Sequence, residues 1–223
     1  MFSPRAAAEI KTFNPAAKII IMVRDPVDMI YSLHAQRLYA GTEDIENFQQ
    51  AIEAEDGRRS GTLPAKHSWI TRGLFYLDVA KFTKQIERYV DAFSWNQIKV
   101  IVFDDFKNET ARVFQETCEF LELDANFEPA LEIVNPHKRA RSRKFQEALD
   151  SRPSPSLQRV GRRIMSQATR RSLYQTLRRW NTDRSPRPRL DPQFRRQLQA
   201  EFRDDVERLS NLLGRDLTHW SRS

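Results

Sequence analysis

Two short, mostly apolar runs stand out in a chain that elsewhere has helical periodicity. Ile19–Val23 is continuously apolar and is bounded by turn signals, and residues 99–103 repeat the pattern. Runs of this length without polar alternation are typical of strands buried on both faces of a parallel sheet. The sequence therefore predicts two buried parallel strands at 19–23 and 99–103.

Helical patterns fill the rest of the chain. They predict helices over residues 6–12, 26–40, 44–55, 75–93, 109–121 and 194–213, with further helical patterns at 157–164 and 173–180. Asp25 suits a helix N-cap, Pro26 suits the first helical position, and Gly41 suits the residue after the end. Strands separated by helices indicate an α/β fold with a parallel sheet and right-handed crossovers.

Composition limits the class of protein. A chain of 223 residues with fourteen Phe and four Trp can bury a full core as one domain. The single cysteine, Cys118, excludes an intrachain disulfide and favours a reducing, cytoplasmic compartment. No stretch approaches the roughly 18 apolar residues of a membrane span, so we expect no membrane partner. The four histidines form no metal-spaced set, and we expect no metal.

Positive charge is concentrated in one segment. Residues 138–189 carry sixteen Lys or Arg against three acids, a charge of +13, which leaves −6 for the rest of a chain whose net charge is +7. Such a segment is either a solvated face or a polyanion site for a glycan or nucleic acid. Aromatic residues do not alternate with the basic ones as a stacking platform requires, so nucleic acid is the less favoured partner.

Arg24 lies at the junction between the first predicted strand and the following helix. Charge at the carboxyl end of a parallel strand lies where α/β proteins usually bind ligands. With the hydroxyl of Ser32 two turns along the helix, Arg24 could hold a phosphate that the helix N-terminus also favours. The alternative is a surface arginine and an ordinary helical serine.

The stretch AKIIIMVRDPVDMIYS, residues 17–32, resembles a phosphate-binding element of a known family. It is similar to the strand, turn and helix that bind the donor 3′-phosphate in sulfotransferases using 3′-phosphoadenosine 5′-phosphosulfate (PAPS), above all bacterial members related to the heparan sulfate and carbohydrate enzymes. The resemblance implies that Arg24 and Ser32 contact that phosphate. Residues 71–123 resemble the family's next helix, strand and helix, and residues 201–220 resemble its closing helix.

The resemblance also implies a fold and a second group of ligands. The fold is the P-loop-NTPase-like three-layer sulfotransferase fold, with a parallel sheet and a helical C-terminal region. The stretch NPHKRARSRK, residues 135–144, lies where the family has a loop that folds over the nucleotide. Lys138, Arg139 and Arg141 could then approach the 3′-phosphate from the other side, and the alternative is that they are solvated charges.

The chain departs from the family pattern in two places. Phe75 stands where the family usually has Tyr, so a hydroxyl contact is lost unless Tyr76 supplies it. Family members also begin with a strand, a phosphate-cradling loop of the Pro-Lys-Ser-Gly-Thr type and a helix, with a catalytic Glu or His nearby. We expect residues 1–223 to be one domain truncated at its N-terminus, with an α/β core remnant at 1–136 and a basic, mainly helical region at 137–223.

The stretch GRRSGT, residues 57–62, has the composition of the absent loop. Such a loop needs a strand before it and a helix after it, whereas the pattern before residue 57 is helical. We interpret residues 57–62 as a mobile surface loop.

The resemblance implies transfer of a sulfuryl group from PAPS to a hydroxyl or amine of a carbohydrate or small-molecule acceptor. The partners are then the nucleotide donor and the acceptor, and the catalytic residue is unidentified. We expect this chain to be inactive alone, because the loop for the 5′-phosphosulfate and the base are absent. The alternative function is non-enzymatic polyanion binding through residues 138–189. A nucleotide-kinase-like function is disfavoured because no Gly-x-x-x-x-Gly-Lys-Ser/Thr loop occurs.

Overall fold

The computed structural model describes residues 3–65, 68–125, 127, 129–130, 139–142, 145, 148–149, 166–183, 185 and 187–222. Within these residues the helices are α1 (Ala6–Phe13), α2 (Pro26–Tyr39), α3 (Phe48–Glu53), α4 (Glu55–Ser60), α5 (Tyr76–Ala80), α6 (Thr83–Ala92), α7 (Phe103–Asn108), α8 (Thr110–Leu121), α9 (Gln167–Trp180) and α10 (Pro192–Leu213). The strands are β1 (Ile19–Val23), β2 (Ile98–Val102), β3 (Arg139–Ala140) and β4 (Thr182–Asp183). The 3₁₀ turns are Ser68–Leu74, Trp95–Gln97 and Thr218–Ser221. The predicted α/β class is confirmed.

Strands β1 and β2 pair in parallel, as predicted from their apolar runs. The register joins Ile19 to Ile98 and Val23 to Val102, so both strands end at the same edge. β2 ends before Phe103 because that residue begins α7. The expectation of burial on both faces is wrong for β1, since Ile20 is 43% exposed while Ile21 is 5% exposed.

The chain divides into two compact units. The first comprises Met1–Ser32, Phe75–Val134 and Leu190–Ser223, and the second comprises Leu33–Leu74 and Asn135–Arg189. In the first unit α6 packs against α1 and α10. Its most deeply buried apolar side chains include Val23, Val27, Ile30, Tyr76, Ile86, Phe93, Phe202, Val206, Leu209 and Leu217.

The helix predicted at 75–93 is broken into α5 and α6. The side chain of Asp205, which lies on α10, accepts hydrogen bonds from the backbone N–H of Phe82 at 2.8 Å and of Thr83 at 3.5 Å. The Thr83 hydroxyl in turn donates to the Asp205 carbonyl at 3.0 Å. Asp205 thus caps the start of α6 from another helix, which is why a continuous apolar periodicity does not give one continuous helix.

The acids that follow β2 bind the C-terminal turn of the first unit. Asp105 forms a two-point ion pair with Arg215, and Asp104 accepts a hydrogen bond from the Trp220 indole at 3.0 Å. The described residues contain no group of three or more His, Cys, Asp or Glu that could hold a metal. None of the described helices is long and apolar enough to cross a membrane.

The second unit corrects two expectations about residues 44–62. The stretch interpreted as a mobile loop is helical up to Ser60, and Arg58 is buried with its Nη2 atom 2.6 Å from Glu43 Oε1. The same Glu43 oxygen accepts the N–H groups of Asp44 at 2.8 Å and Ile45 at 2.9 Å, which keeps that segment out of a helix. The predicted start at 44 is therefore wrong, and α3 begins only at Phe48.

The buried ion pair between Arg58 and Glu43 generates a stability prediction. We expect Arg58→Met to lower the free energy of unfolding by about 3–5 kcal/mol, because it leaves the buried Glu43 carboxylate without the opposite charge of Arg58. The double variant Glu43→Gln with Arg58→Met removes both charges, keeps an oxygen for the Asp44 and Ile45 N–H groups, and should recover most of the loss. Urea unfolding of the three proteins measures both effects. A single variant as stable as the parent would contradict the assignment.

Candidate functional site

The candidate site lies at the edge where β1 and β2 end and α2 begins. Asp25 caps α2, since its Oδ1 atom accepts the N–H of Val27 at 2.8 Å and of Asp28 at 3.1 Å. Pro26 occupies the first helical position, where its missing N–H costs nothing. This confirms the predicted start of the helix and fixes the direction in which Arg24 leaves the strand.

Arg24 lies between an aromatic ring and a carboxylate. Its guanidinium carbon is 4.7 Å from the centroid of the Phe103 ring, which follows β2. Its Nη2 atom is 3.7 Å from Asp28 Oδ2, and the side chain is 34% exposed. Among the described residues no hydrogen bond is made by this guanidinium. It is oriented by stacking while its N–H donors stay available for an anion.

Arg195, in the first turn of α10, binds both acids of this site. Its Nη2 donates to Asp25 Oδ2 at 2.9 Å and its Nη1 donates to Asp28 Oδ1 at 2.7 Å. The three residues form a two-acid clamp that joins α10 to the start of α2. Arg195 could not be predicted from the sequence, because nothing local distinguishes it from the other arginines of a basic chain.

Charges at the site perturb one another. Burial, reinforced by the negative charge of Asp28, raises the pKa of Asp25, although the helix N–H groups and Arg195 oppose the rise. Burial by itself would lower the pKa of Arg195, but its hydrogen bonds and charge contacts with Asp28 and Asp25 raise it. The clamp therefore holds Arg195 as a permanent cation beside two acids.

Ser32 lies on the same face of α2 as the acids. It follows Asp28 by four residues and Asp25 by seven, the spacing of one helical face. At about 1.5 Å per residue, Ser32 lies about 10 Å along the axis from Asp25. Its side chain is half-buried. Arg24 and Ser32 thus both belong to the first unit, one at the strand end and one on the helix that follows.

The remaining predicted ligands belong to the second unit or lie outside the described residues. Lys138 lies outside them. Arg139 is in β3 opposite Asp183 in β4, and the Arg141 N–H donates to the Asn181 carbonyl at 2.7 Å. Contact of Arg139 and Arg141 with the 3′-phosphate of the nucleotide stays a prediction.

Phe75 and Tyr76, the two aromatic residues at which the chain departs from the family pattern, lie at the start of α5. Tyr76 is fully buried and Phe75 is half-buried, as the capping residue of that helix. The Tyr76 ring belongs to the core of the first unit. Its part in any ligand contact also stays a prediction.

Comparison with known proteins identifies the family. The family model described as the sulfotransferase domain matches residues 3–211. Among solved structures, the chain is similar to a sulfotransferase from Alicyclobacillus acidocaldarius, with a TM-score of 0.65 and 24% sequence identity. The match covers 99% of this chain and 64% of that chain, so this chain spans less than two thirds of that structure's length. Curated proteins give no match. The structural likeness confirms the predicted fold.

The cap at Asp25 generates a prediction that separates hydrogen bonding from charge. Asp25→Ala should lower the free energy of unfolding by about 1 kcal/mol more than Asp25→Asn, because only Asn retains an acceptor for the Val27 and Asp28 N–H groups. Urea unfolding at neutral pH provides the measurement. Equal losses for the two variants would show that the cap contributes nothing and that the ion pair with Arg195 accounts for the whole effect.

Proposed function

This chain belongs to the sulfotransferase domain family, and on that premise we propose that it binds PAPS through the site at Arg24. The proposed reaction is transfer of the sulfuryl group of PAPS to a hydroxyl or amine of a carbohydrate or small-molecule acceptor. The proposal assigns the 3′-phosphate to named residues. It assigns no residue to the 5′-phosphosulfate or to the base.

One observation carries the proposal. The Arg24 guanidinium is held on the Phe103 ring, one third exposed, and makes no hydrogen bond within the described part of the chain. Arginine presents a planar fork of donors that matches the oxygens of a phosphate. A dianionic phosphate competes well with Asp28, whose nearest oxygen is 3.7 Å from the guanidinium.

The start of α2 adds two further contributions. The positive end of the helix dipole favours a phosphate near the first turn, and the Ser32 hydroxyl supplies a donor along the same face. Lys138, Arg139 and Arg141 are proposed as further ligands of the 3′-phosphate, as the family resemblance implies. Together these groups distinguish a 3′-phosphorylated nucleotide from an ordinary adenylate.

Binding of the 3′-phosphate would assist sulfuryl transfer at the opposite, 5′ end of the nucleotide. Its binding energy orients the nucleotide so that the 5′-phosphosulfate and the acceptor meet in line. This offsets part of the entropy that the two reactants lose when they come together. The reacting groups themselves then need only short-range positioning. A nucleotide lacking the 3′-phosphate would bind without this orientation.

The single cysteine supports a proposal about location. Cys118 is buried and free, and no second cysteine exists for a disulfide. Thiols persist in reducing compartments, so we propose the cytoplasm.

Replacing Arg24 tests the proposal directly. Arg24→Ala should weaken binding of 3′-phosphoadenosine 5′-phosphate by about tenfold or more, the value of a charge-assisted hydrogen bond, while binding of adenosine 5′-phosphate changes within about twofold. Arg24→Lys keeps the charge without the planar fork and should lie between. Calorimetric titration of each protein with both nucleotides measures the effect. Equal losses for the two nucleotides would overturn the assignment.

Removing the Ser32 hydroxyl should reduce nucleotide affinity less than removing the Arg24 guanidinium does. Ser32→Ala should weaken binding of 3′-phosphoadenosine 5′-phosphate by about threefold to tenfold, the net contribution of one ordinary hydrogen bond in a partly solvated site. Ser94→Ala is the matched control, because within the described part of the chain that exposed hydroxyl bonds to its neighbours Asn96 and Gln97. The same titration applies. An unchanged affinity in Ser32→Ala would remove Ser32 from the site.

A further inference from the structure

We infer that Arg195 is a positioning residue of the Arg24 phosphate site, which it serves by holding the Asp28 carboxylate away from Arg24. This inference rests on the proposed function, since it concerns the same anion site. Arg195 need not contact the nucleotide. It acts through Asp28, and its effect depends on the charge of that acid.

Asp28 stands between two arginines and binds one of them. Its Oδ1 is 2.7 Å from Arg195 Nη1, a full charge-assisted hydrogen bond. Its Oδ2 is 3.7 Å from Arg24 Nη2, beyond hydrogen-bond distance. Arg195 therefore binds the carboxylate with which Arg24 would otherwise form an ion pair.

Arg195 is well anchored for this role. Its neighbour Phe194 is buried, and Asp191 caps the helix by accepting the Phe194 N–H at 2.8 Å. The second nitrogen of the fork binds Asp25, so the guanidinium is fixed at two points. A cation in the first turn of a helix opposes the helix dipole, and the two carboxylates of α2 offset this cost.

The charge balance of the cluster shows what the clamp does for an anion. Arg24 and Arg195 together neutralise Asp25 and Asp28. Without Arg195 the cluster has an excess negative charge, and the Asp28 carboxylate is released to pair with Arg24. An incoming phosphate then meets both a repulsive charge and an occupied guanidinium.

A double-variant experiment separates this role from simple structural support. Arg195→Met should weaken binding of 3′-phosphoadenosine 5′-phosphate by about tenfold, the effect of one largely solvent-screened like charge a few ångströms from a phosphate. Adding Asp28→Asn removes that charge and should restore most of the affinity. A purely structural role of Arg195 predicts no restoration, because the second substitution removes another clamp contact. Arg196→Met is the control, since Arg196 is the adjacent, exposed cation.

Asp28→Asn alone provides a second measurement that does not depend on the folding of Arg195→Met. It should bind 3′-phosphoadenosine 5′-phosphate about threefold more tightly than the parent, because no carboxylate then competes for Arg24. Circular dichroism melting establishes that each variant is folded. A folded Arg195→Met with parental affinity, or a double variant as weak as the single one, overturns the inference.

Failure of the proposed function has a different signature. If the parent protein binds 3′-phosphoadenosine 5′-phosphate no better than adenosine 5′-phosphate, the phosphate assignment fails and the inference fails with it. The other case is that the parent discriminates between the nucleotides while the double variant binds as weakly as Arg195→Met, or while a folded Arg195→Met keeps the parental affinity. In that case only the inference fails.

Discussion

The parallel pairing of β1 with β2 is the constraint on which the site depends. Parallel strands end at the same edge, so the residues that follow them become neighbours although they are distant in sequence. Arg24 follows one strand and Phe103 follows the other, and the ring supports the guanidinium at 4.7 Å. A slip of one residue in this register would shift Phe103 relative to Arg24 and move the ring away from the guanidinium.

The proposed phosphate site has a second requirement, which is that the acids near the start of α2 do not neutralise Arg24. Asp25 is needed to cap α2, and Asp28 sits one turn further on the same face. The fork of Arg195 binds both acids and leaves Arg24 with a weak ion pair. In the proposed site, helix capping and anion binding place conflicting demands on charge, and Arg195 of α10 would reconcile them by binding both acids.

Local patterns in the sequence were sufficient for much of this description. The apolar run of β1, the capping pair Asp25 and Pro26, and the stop at Gly41 were predictable because each depends on residues within a few positions. Gly41 indeed has a φ of +68°, which few other residues adopt readily. The position of Arg24 was also predictable, because it directly follows a strand that a helix succeeds; its role in binding stays a prediction.

The rest depended on partners far along the chain. Asp205 breaks a helix that periodicity had predicted as continuous, and Arg195 reaches acids near residue 25. Arg58 looked like a loop residue because its buried partner Glu43 lies fifteen positions earlier. No periodicity carries such information, since a polar side chain that finds a buried partner has the same local sequence as one that is solvated. The basic segment after residue 138 was predictable in charge but not in role.

The central claim is that Arg24 and Ser32 hold a 3′-phosphate, and a crystal structure of the chain with 3′-phosphoadenosine 5′-phosphate tests it most directly. The account predicts the 3′-phosphate oxygens within hydrogen-bond distance, about 2.7–3.2 Å, of the Arg24 guanidinium and the Ser32 hydroxyl, with Asp28 still bound to Arg195. A nucleotide bound elsewhere, with the Arg24 guanidinium still making no contact to it, would contradict the account.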